Sequence, residues 1–308
     1  MGREIVRSAF VAAVAAVLLI PLAAPSALAQ DEDRWAAVEI ETVKVADGVW
    51  MLVGRGGNIG VSAGEDGVFL VDDQYAPLTD KIRAAVAAIS DQPIRFVLNT
   101  HWHSDHSGGN ENLGGAGVLI VAHDNVRQRM STEQFVEFFD MKTLPSPEVA
   151  LPVVTFNDTV TFHLNGDAIH AFHVEPAHTD GDSVVHFREA DVIHGGDLVF
   201  VGSYPFFDLS SGGSIDGMIA AVERVIEVAG PETKVIPGHG PLTDRAGLVA
   251  YVEMMRGVRD AVAKLIADGK SLDEAVAAKP TAPWDEVWAN GFIDADSMTR
   301  LVYDSLAE

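Results

Sequence analysis

Ten residues constrain this chain more than any others: Thr100-His101-Trp102-His103-Ser104-Asp105-His106-Ser107-Gly108-Gly109. They follow directly on Ile94-Arg95-Phe96-Val97-Leu98, which reads as a short strand. His101, His103, Asp105 and His106 are all side chains that can ligate a metal, packed into one short run. In extended chain, residues i and i+2 lie on one side, so His101 and His103 converge on one ion. Asp105 and His106 are displaced along the chain and reach a second ion nearby. Imidazole and carboxylate together suit Zn²⁺. Gly108 and Gly109 remove side chains where the backbone has to turn tightly behind the cluster. A polar surface loop with chance histidines would explain a lone His; it does not explain H-x-H-x-D-H straight after an apolar strand.

Composition narrows the donor set further. The 308 residues include no Cys, so no thiolate ligates a metal and no disulfide staples the fold. A hydrophobic fraction of 48% supports a sizeable core. The net charge of −24 at pH 7 makes the chain a poor candidate for phosphate-backbone binding, which needs clustered Lys and Arg, so no nucleic-acid partner is expected. The expected partner is a small-molecule substrate, and the charge serves solubility. At the start, Arg3 and Arg7 precede an Ala/Val/Leu-rich run from Ala9 to Ala24, and Ala27-Leu28-Ala29 reads as a small-x-small cleavage triplet. The expectation is a signal peptide over 1–29, a single domain over 30–308, and a periplasmic or secreted protein with no stable membrane association once the leader is removed. An uncleaved membrane anchor is the competing reading, and Pro21, Pro25 and the triplet argue against it.

The rest of the chain alternates strand-like and helical periods. Val38 to Val45, Val49 to Val53 and Val68 to Val71 read as an antiparallel meander punctuated by Gly and Asp. Ile82, Ala85, Val86 and Ile89 give helical spacing over Thr79 to Ile89. Val118 to Val121 reads as a strand and Asn125 to Met130 as a helix. The segment around Phe135, Phe138, Phe139 and Leu144-Pro145-Ser146-Pro147 reads as a loop or insertion whose aromatic rings serve packing rather than a substrate wall. A second strand-rich stretch spans Val153 to Ile193. Helix follows over Ile215 to Val228, a short strand at Val235-Ile236, an amphipathic helix over Leu248 to Ile266, and a mostly helical tail after Lys270. Two α/β halves with ligands at strand ends place a site between them.

The ten-residue motif resembles the signature of the metallo-β-lactamase superfamily. That resemblance implies an α/β fold, an αββα four-layer sandwich, with two zinc ions at one edge of the sheets. It also implies three further ligands downstream, and all three occur in order: His178 in Glu175-Pro176-Ala177-His178-Thr179-Asp180, Asp197 in His194-Gly195-Gly196-Asp197-Leu198, and His239 in Ile236-Pro237-Gly238-His239-Gly240. Carried over residue by residue, it assigns His101, His103 and His178 to the first ion, and Asp105, His106 and His239 to the second. Asp197 would bridge them, at the position where the Cys-using β-lactamases have their cysteine. The full His/Asp set is similar to glyoxalase II and the homoserine lactonases.

Two zinc ions per chain, about 3.5–4 Å apart in sites of this kind, would supply a hydroxide nucleophile for a carbonyl at neutral pH, and Asp105 would orient it. The expected enzyme is therefore a zinc-dependent hydrolase of a strained or activated carbonyl, with class-B β-lactamase-like action as the leading specific reading. A lactone or ester hydrolase, and less readily a thioesterase, is the alternative. A non-catalytic periplasmic metal-binding accessory protein is the reading from a different class. Phe200 stands where many Cys-using β-lactamases carry a Lys that pairs with the drug's carboxylate, and where lactonases often carry Tyr; it does neither job. Of the remaining histidines, His163, His170, His173 and His186 read as structural or surface residues, His123 as local to a helix start, and His194 as a neighbour of the Asp197 ligand. Asp180 and Asp182 read as turn formers, and Trp102 as packing behind the ligands.

Overall fold

The computed structural model describes Met1 and residues 34–307. The expected leader and the cleavage junction before Gln30 fall outside the described residues. The chain divides into two units, Met1–Ala37 and Val38–Glu308; in the first, residues 34–36 form a helical turn.

The second unit is built on two sheets. The first runs in the order β1 (Glu41–Ala46), β2 (Val49–Val53), β3 (Ile59–Gly64), β4 (Gly67–Val71), β5 (Ile94–Leu98), β6 (Leu119–His123) and β9 (Val154–Phe156). Its first four strands pair antiparallel, as the meander predicts, and from β4 onward the pairing is parallel. Parallel neighbours need crossovers, which the helices Thr79–Ile89 and Asn110–Gly115 supply. The second sheet runs β10 (Thr159–Leu164), β11 (Asp167–His173), β12 (Ser183–Phe187), β13 (Val192–His194), β14 (Lys234–Ile236) and β15 (Thr243–Asp244).

The sheets face one another across Met51, Phe69, Val71, Leu98 and Val121 from the first and Ile169, Ala171, Val185, Phe187 and Ile236 from the second. Period-2 alternation turns Leu70, Val97 and Ile120 to the other face of the first sheet, where they too are fully buried. That is why Gly67–Val71 reads as an unbroken apolar run rather than an alternating one. The outer face of the second sheet packs Val184, Ile193 and Val235 against Ile215, Met218, Val222, Tyr251, Met255 and Met298, which belong to the helices Ile215–Val228, Arg245–Ala267 and Ala295–Ala307. Ser214 caps the first of these by accepting from the Gly217 N–H. The result is the αββα sandwich.

Thr79–Ile89, Ile94–Leu98 and Ile215–Val228 occupy the bounds their periodicity predicts. Two segments differ from expectation. β9 leaves the second strand-rich stretch and pairs with β6 in the first sheet. The segment expected as loop contains a hairpin, β7 (Gln134–Val136) with β8 (Met141–Thr143).

Candidate metal centre

Strand ends deliver every expected ligand to one edge of the sandwich. β5 ends at Leu98 and leads into His101; β13 ends at His194 and leads into Asp197; β14 ends at Ile236 and leads into His239. His178 lies in the connection from β11 to β12. The chain from His101 to His106 is not extended throughout. It turns at His103 (φ −61°, ψ 146°) into a one-turn helix, Ser104–Ser107, and that turn swings Asp105 and His106 away from His101 and His103.

The seven side chains converge in overlapping groups: His101, His103 and His178; His101, His106 and Asp197; Asp105, His106 and His239. Asp197 stands among them, with Oδ2 at 3.6 Å from His178 Nε2 and 3.4 Å from His239 Nε2, and Oδ1 at 2.9 Å from His106 Nε2.

Hydrogen bonds on the outer side of four of the imidazoles fix which nitrogen faces inward. His103 Nε2 donates to Asp208 Oδ2 at 3.2 Å and His178 Nδ1 to the Phe206 carbonyl at 2.8 Å. Thr100 Oγ1 donates to Asp72 Oδ2 at 2.9 Å and so accepts from His101 Nδ1 at 3.0 Å. Their inner nitrogens therefore carry lone pairs. Two of these, His103 Nδ1 and His178 Nε2, face each other at 2.9 Å, and His101 Nε2 is buried without a hydrogen-bond partner among the described residues. Lone pairs aimed at one another repel; a cation between them satisfies all three. In the second group His106 Nδ1 donates to Asp72 Oδ2 at 2.7 Å, which turns Nε2 toward the Asp197 carboxylate. The donors fit divalent cations at both places.

The electrostatics divide the cluster. Burial holds the His101 imidazole well below its ordinary range and His178 down to about 4, so both are neutral and have a lone pair to offer a cation. Burial opposes charge on His106 and His239 as well, but the carboxylates of Asp197 and Asp105 outweigh it. They hold His106 well above its usual range and His239 up to about 9. In return, and against their own burial, Asp105 is pulled down to about 2, chiefly by His106, and Asp197 falls well below the carboxylate range through His106 and His239. A cation binding at this second group takes the place of those protons.

Several residues that matter here were not singled out from sequence. Asp72, fully buried, accepts from the Thr100 N–H at 2.7 Å, from Thr100 Oγ1 and from His106, tying the run from Thr100 to His106 to the end of β4. Its signal was available: two acidic residues, Asp72-Asp73, directly after a wholly buried strand. Asp208 accepts from Ser211 Oγ at 2.5 Å, from Ser210 Oγ and from His103; against burial, His103 draws it down to about 2. Asn58 donates to the Pro237 and Gly240 carbonyls at 2.9 and 2.8 Å, clamping the His239 loop.

Other expectations resolve as follows. His194 accepts from the Gly196 N–H at 3.2 Å and meets the Asn58 carbonyl at 3.0 Å, which makes it a neighbour of Asp197 and not a member of the cluster. Asp182 builds the His178 turn by accepting from the His178 and Thr179 N–H groups, and burial pushes it up to about 7. Asp180 pairs with Arg129. His123 caps the helix Asp124–Met130 and stacks on His173 at 3.8 Å. Trp102 packs edge-on against His103 at 4.6 Å, and it also lines a cleft. That cleft, about 530 Å³, opens onto His103, Asp105, Asp197 and His239, and is walled by Phe139, Met141, Phe206 and Phe292, with Arg55 and Tyr75 among the other lining residues. The rings expected only to pack thus include one, Phe139, that faces the cleft. Phe200 does not line it; the ring is buried and stacked on His239 at 5.3 Å and 16°.

With this edge-on cluster on an αββα sandwich, residues 52–243 match the family model of the metallo-β-lactamase superfamily, and the chain belongs to that superfamily. It is 24% identical over 204 residues to the acyl-coenzyme A thioesterase MBLAC2 of Bos taurus, a match covering 62% of this chain and 72% of that one. It is 25% identical over 191 residues to the metallo-β-lactamase type 2 of Bacillus cereus, covering 62% and 69%. Among solved structures it resembles a metallo-β-lactamase from Pontibacter korlensis, with a TM-score of 0.58 at 21% identity, over 71% of this chain and 99% of that one; this likeness concerns the fold alone.

Proposed function

We propose that this chain is an exported, periplasmic zinc hydrolase that holds two ions and opens strained or activated carbonyl bonds. The observation that carries the reading is the convergence of inward lone pairs on a cleft open to substrate. His101 Nε2, His103 Nδ1 and His178 Nε2 are the donors for one ion. Asp105, His106 and His239 are those for the other, with Asp197 between. When bound, two such ions lower the pKa of water and polarise a carbonyl oxygen. The chain's own residues do the rest. Thr100, Asp208, Asp72 and the Phe206 carbonyl hold four imidazoles in fixed tautomers, so little reorganisation is needed on binding. The Asp105 side chain is 24% exposed on the cleft, where it would orient attacking water. The same opening supports an enzyme over an accessory metal-binding protein.

For the particular substrate, similarity to the Bacillus cereus enzyme and the expected export support a β-lactam amide. A second reading, an ester, lactone or thioester, is favoured by the apolar wall of the cleft. A panel of penicillin, carbapenem, lactone, acyl ester, thioester and phosphodiester, assayed on metal-analysed protein with and without chelator, tests both. Chelator-sensitive turnover of at least one carbonyl substrate is expected. Turnover unaffected by metal removal, or confined to the phosphodiester, contradicts the proposal.

A further inference from the structure

One wall of the cleft is left unused by the chemistry of the ligands. It begins at Phe206, 4% exposed, whose ring centre lies 6.1 Å from that of His103 and 5.7 Å from that of His178. It continues through Phe139, 5.0 Å from Phe206 and 45% exposed, to Phe292, 6.1 Å from Phe139 and 57% exposed. Met141, 41% exposed, flanks it. Large apolar side chains left in water as a contiguous set, inside a concavity, mark a binding surface rather than a packing remnant. Two segments remote in sequence build it. Phe139 and Met141 come from the Gln134–Thr143 hairpin, and Phe292 comes from the connection between the helices Asp285–Trp288 and Ala295–Ala307. That connection lies beyond the region 52–243 that matches the family model, whereas Phe139, Met141 and Phe206 lie within it.

We propose that this wall is a subsite for an extended apolar acyl group, and that the substrate is a medium-chain or longer acyl ester or thioester; this rests on the second reading above. The path supports a chain: it leaves the His103–His178 side of the cluster and runs outward through three rings in mutual contact. The lining supports an uncharged group. The wall side chains themselves, Phe139, Met141, Phe206 and Phe292, carry no charge and offer no hydrogen-bond donor to an anionic substituent.

The test is a p-nitrophenyl ester series from acetate to decanoate, with the leaving group constant, run on zinc-loaded protein. Each methylene placed on the wall is expected to raise kcat/KM by roughly three- to fourfold until the wall is covered. Phe292→Ala and Phe139→Ser should each lower the octanoate-to-acetate ratio by about tenfold, while Val287→Ser, exposed on the same C-terminal region but off the cleft, should leave the ratio where it is. Calorimetric titration with octanohydroxamate and acetohydroxamate measures the same preference without turnover. The longer probe should bind at least tenfold tighter, and Phe292→Ala should shrink that difference by about the same factor as it shrinks the ester ratio. Hydrolysis with a flat chain-length series, or equal affinity for the two hydroxamates, overturns the subsite and leaves the hydrolase reading standing. A hydroxamate preference with no ester or thioester turned over keeps the subsite and overturns the ester reading.

Discussion

At position 200 a single substitution separates two accounts of substrate binding. Phe200 stands where many Cys-using β-lactamases carry a carboxylate-binding Lys, and from sequence alone Phe200→Lys would be expected to tighten β-lactam binding. The structure puts the ring 1% exposed, stacked on His239 and outside the cleft. A lysine there buries an ammonium beside His239, which costs about 3 kcal/mol or more. Phe200→Lys is therefore expected to lower the unfolding midpoint and weaken metal binding without lowering any Michaelis constant; urea unfolding together with penicillin kinetics checks this. A stable variant with tighter β-lactam binding would show that the side chain reaches substrate after all. At this scale the seven clustered residues were legible because four fall in one run and three sit in short Gly- or Pro-flanked contexts. Asp208 was not legible. A lone Asp in Phe207-Asp208-Leu209-Ser210 carries no spacing signal, and its bond to His103 spans 105 positions.

Loops, more than strands or helices, decide how tightly the elements close on the cluster. The Gly238 N–H donates to the Gly196 and Val199 carbonyls at 2.8 and 3.0 Å, drawing the His239 loop against the turn that carries Asp197. A Cβ at Gly238 would collide with Asp197 Oδ1 and the Gly196 backbone. Gly238→Ala is expected to push Asp197 off its position and weaken zinc affinity by about 10- to 100-fold, as disturbed outer-shell contacts do. Competition against a chromogenic chelator measures it, and unchanged affinity would mean that the loop relaxes freely. Regular elements were easier to read than such contacts. Ile82 and Val86, and Ile215, Met218, Val222 and Val225, repeat at helical spacing, and both helices occupy the expected bounds. The Gln134–Thr143 hairpin escaped because its strands are three residues each and its turn has no Gly; Asp140 takes the left-handed position at φ 47°. Missing the hairpin hid the wall it carries.

For the molecule as a whole, the sandwich explains why one site can draw on residues 101 to 239: strands of both sheets end at a shared edge, and the ligands occupy the turns that follow. The expected route out of the cytoplasm depends on the first 29 residues. Intact-mass measurement of the exported protein should give a chain starting at Gln30; a protein retaining residues 1–29 in the membrane fraction would contradict export by cleavage. The central claim is that seven side chains hold two ions with Asp197 shared between them. Native mass spectrometry of zinc-reconstituted wild type and Asp197→Ala tests it most directly. Removing a carboxylate from between two dications leaves their repulsion unscreened, so the weaker-held ion should leave first. Two zinc ions per wild-type chain and no more than one per Asp197→Ala chain is the predicted result; a single ion in the wild type, or two retained in the variant, would contradict the claim.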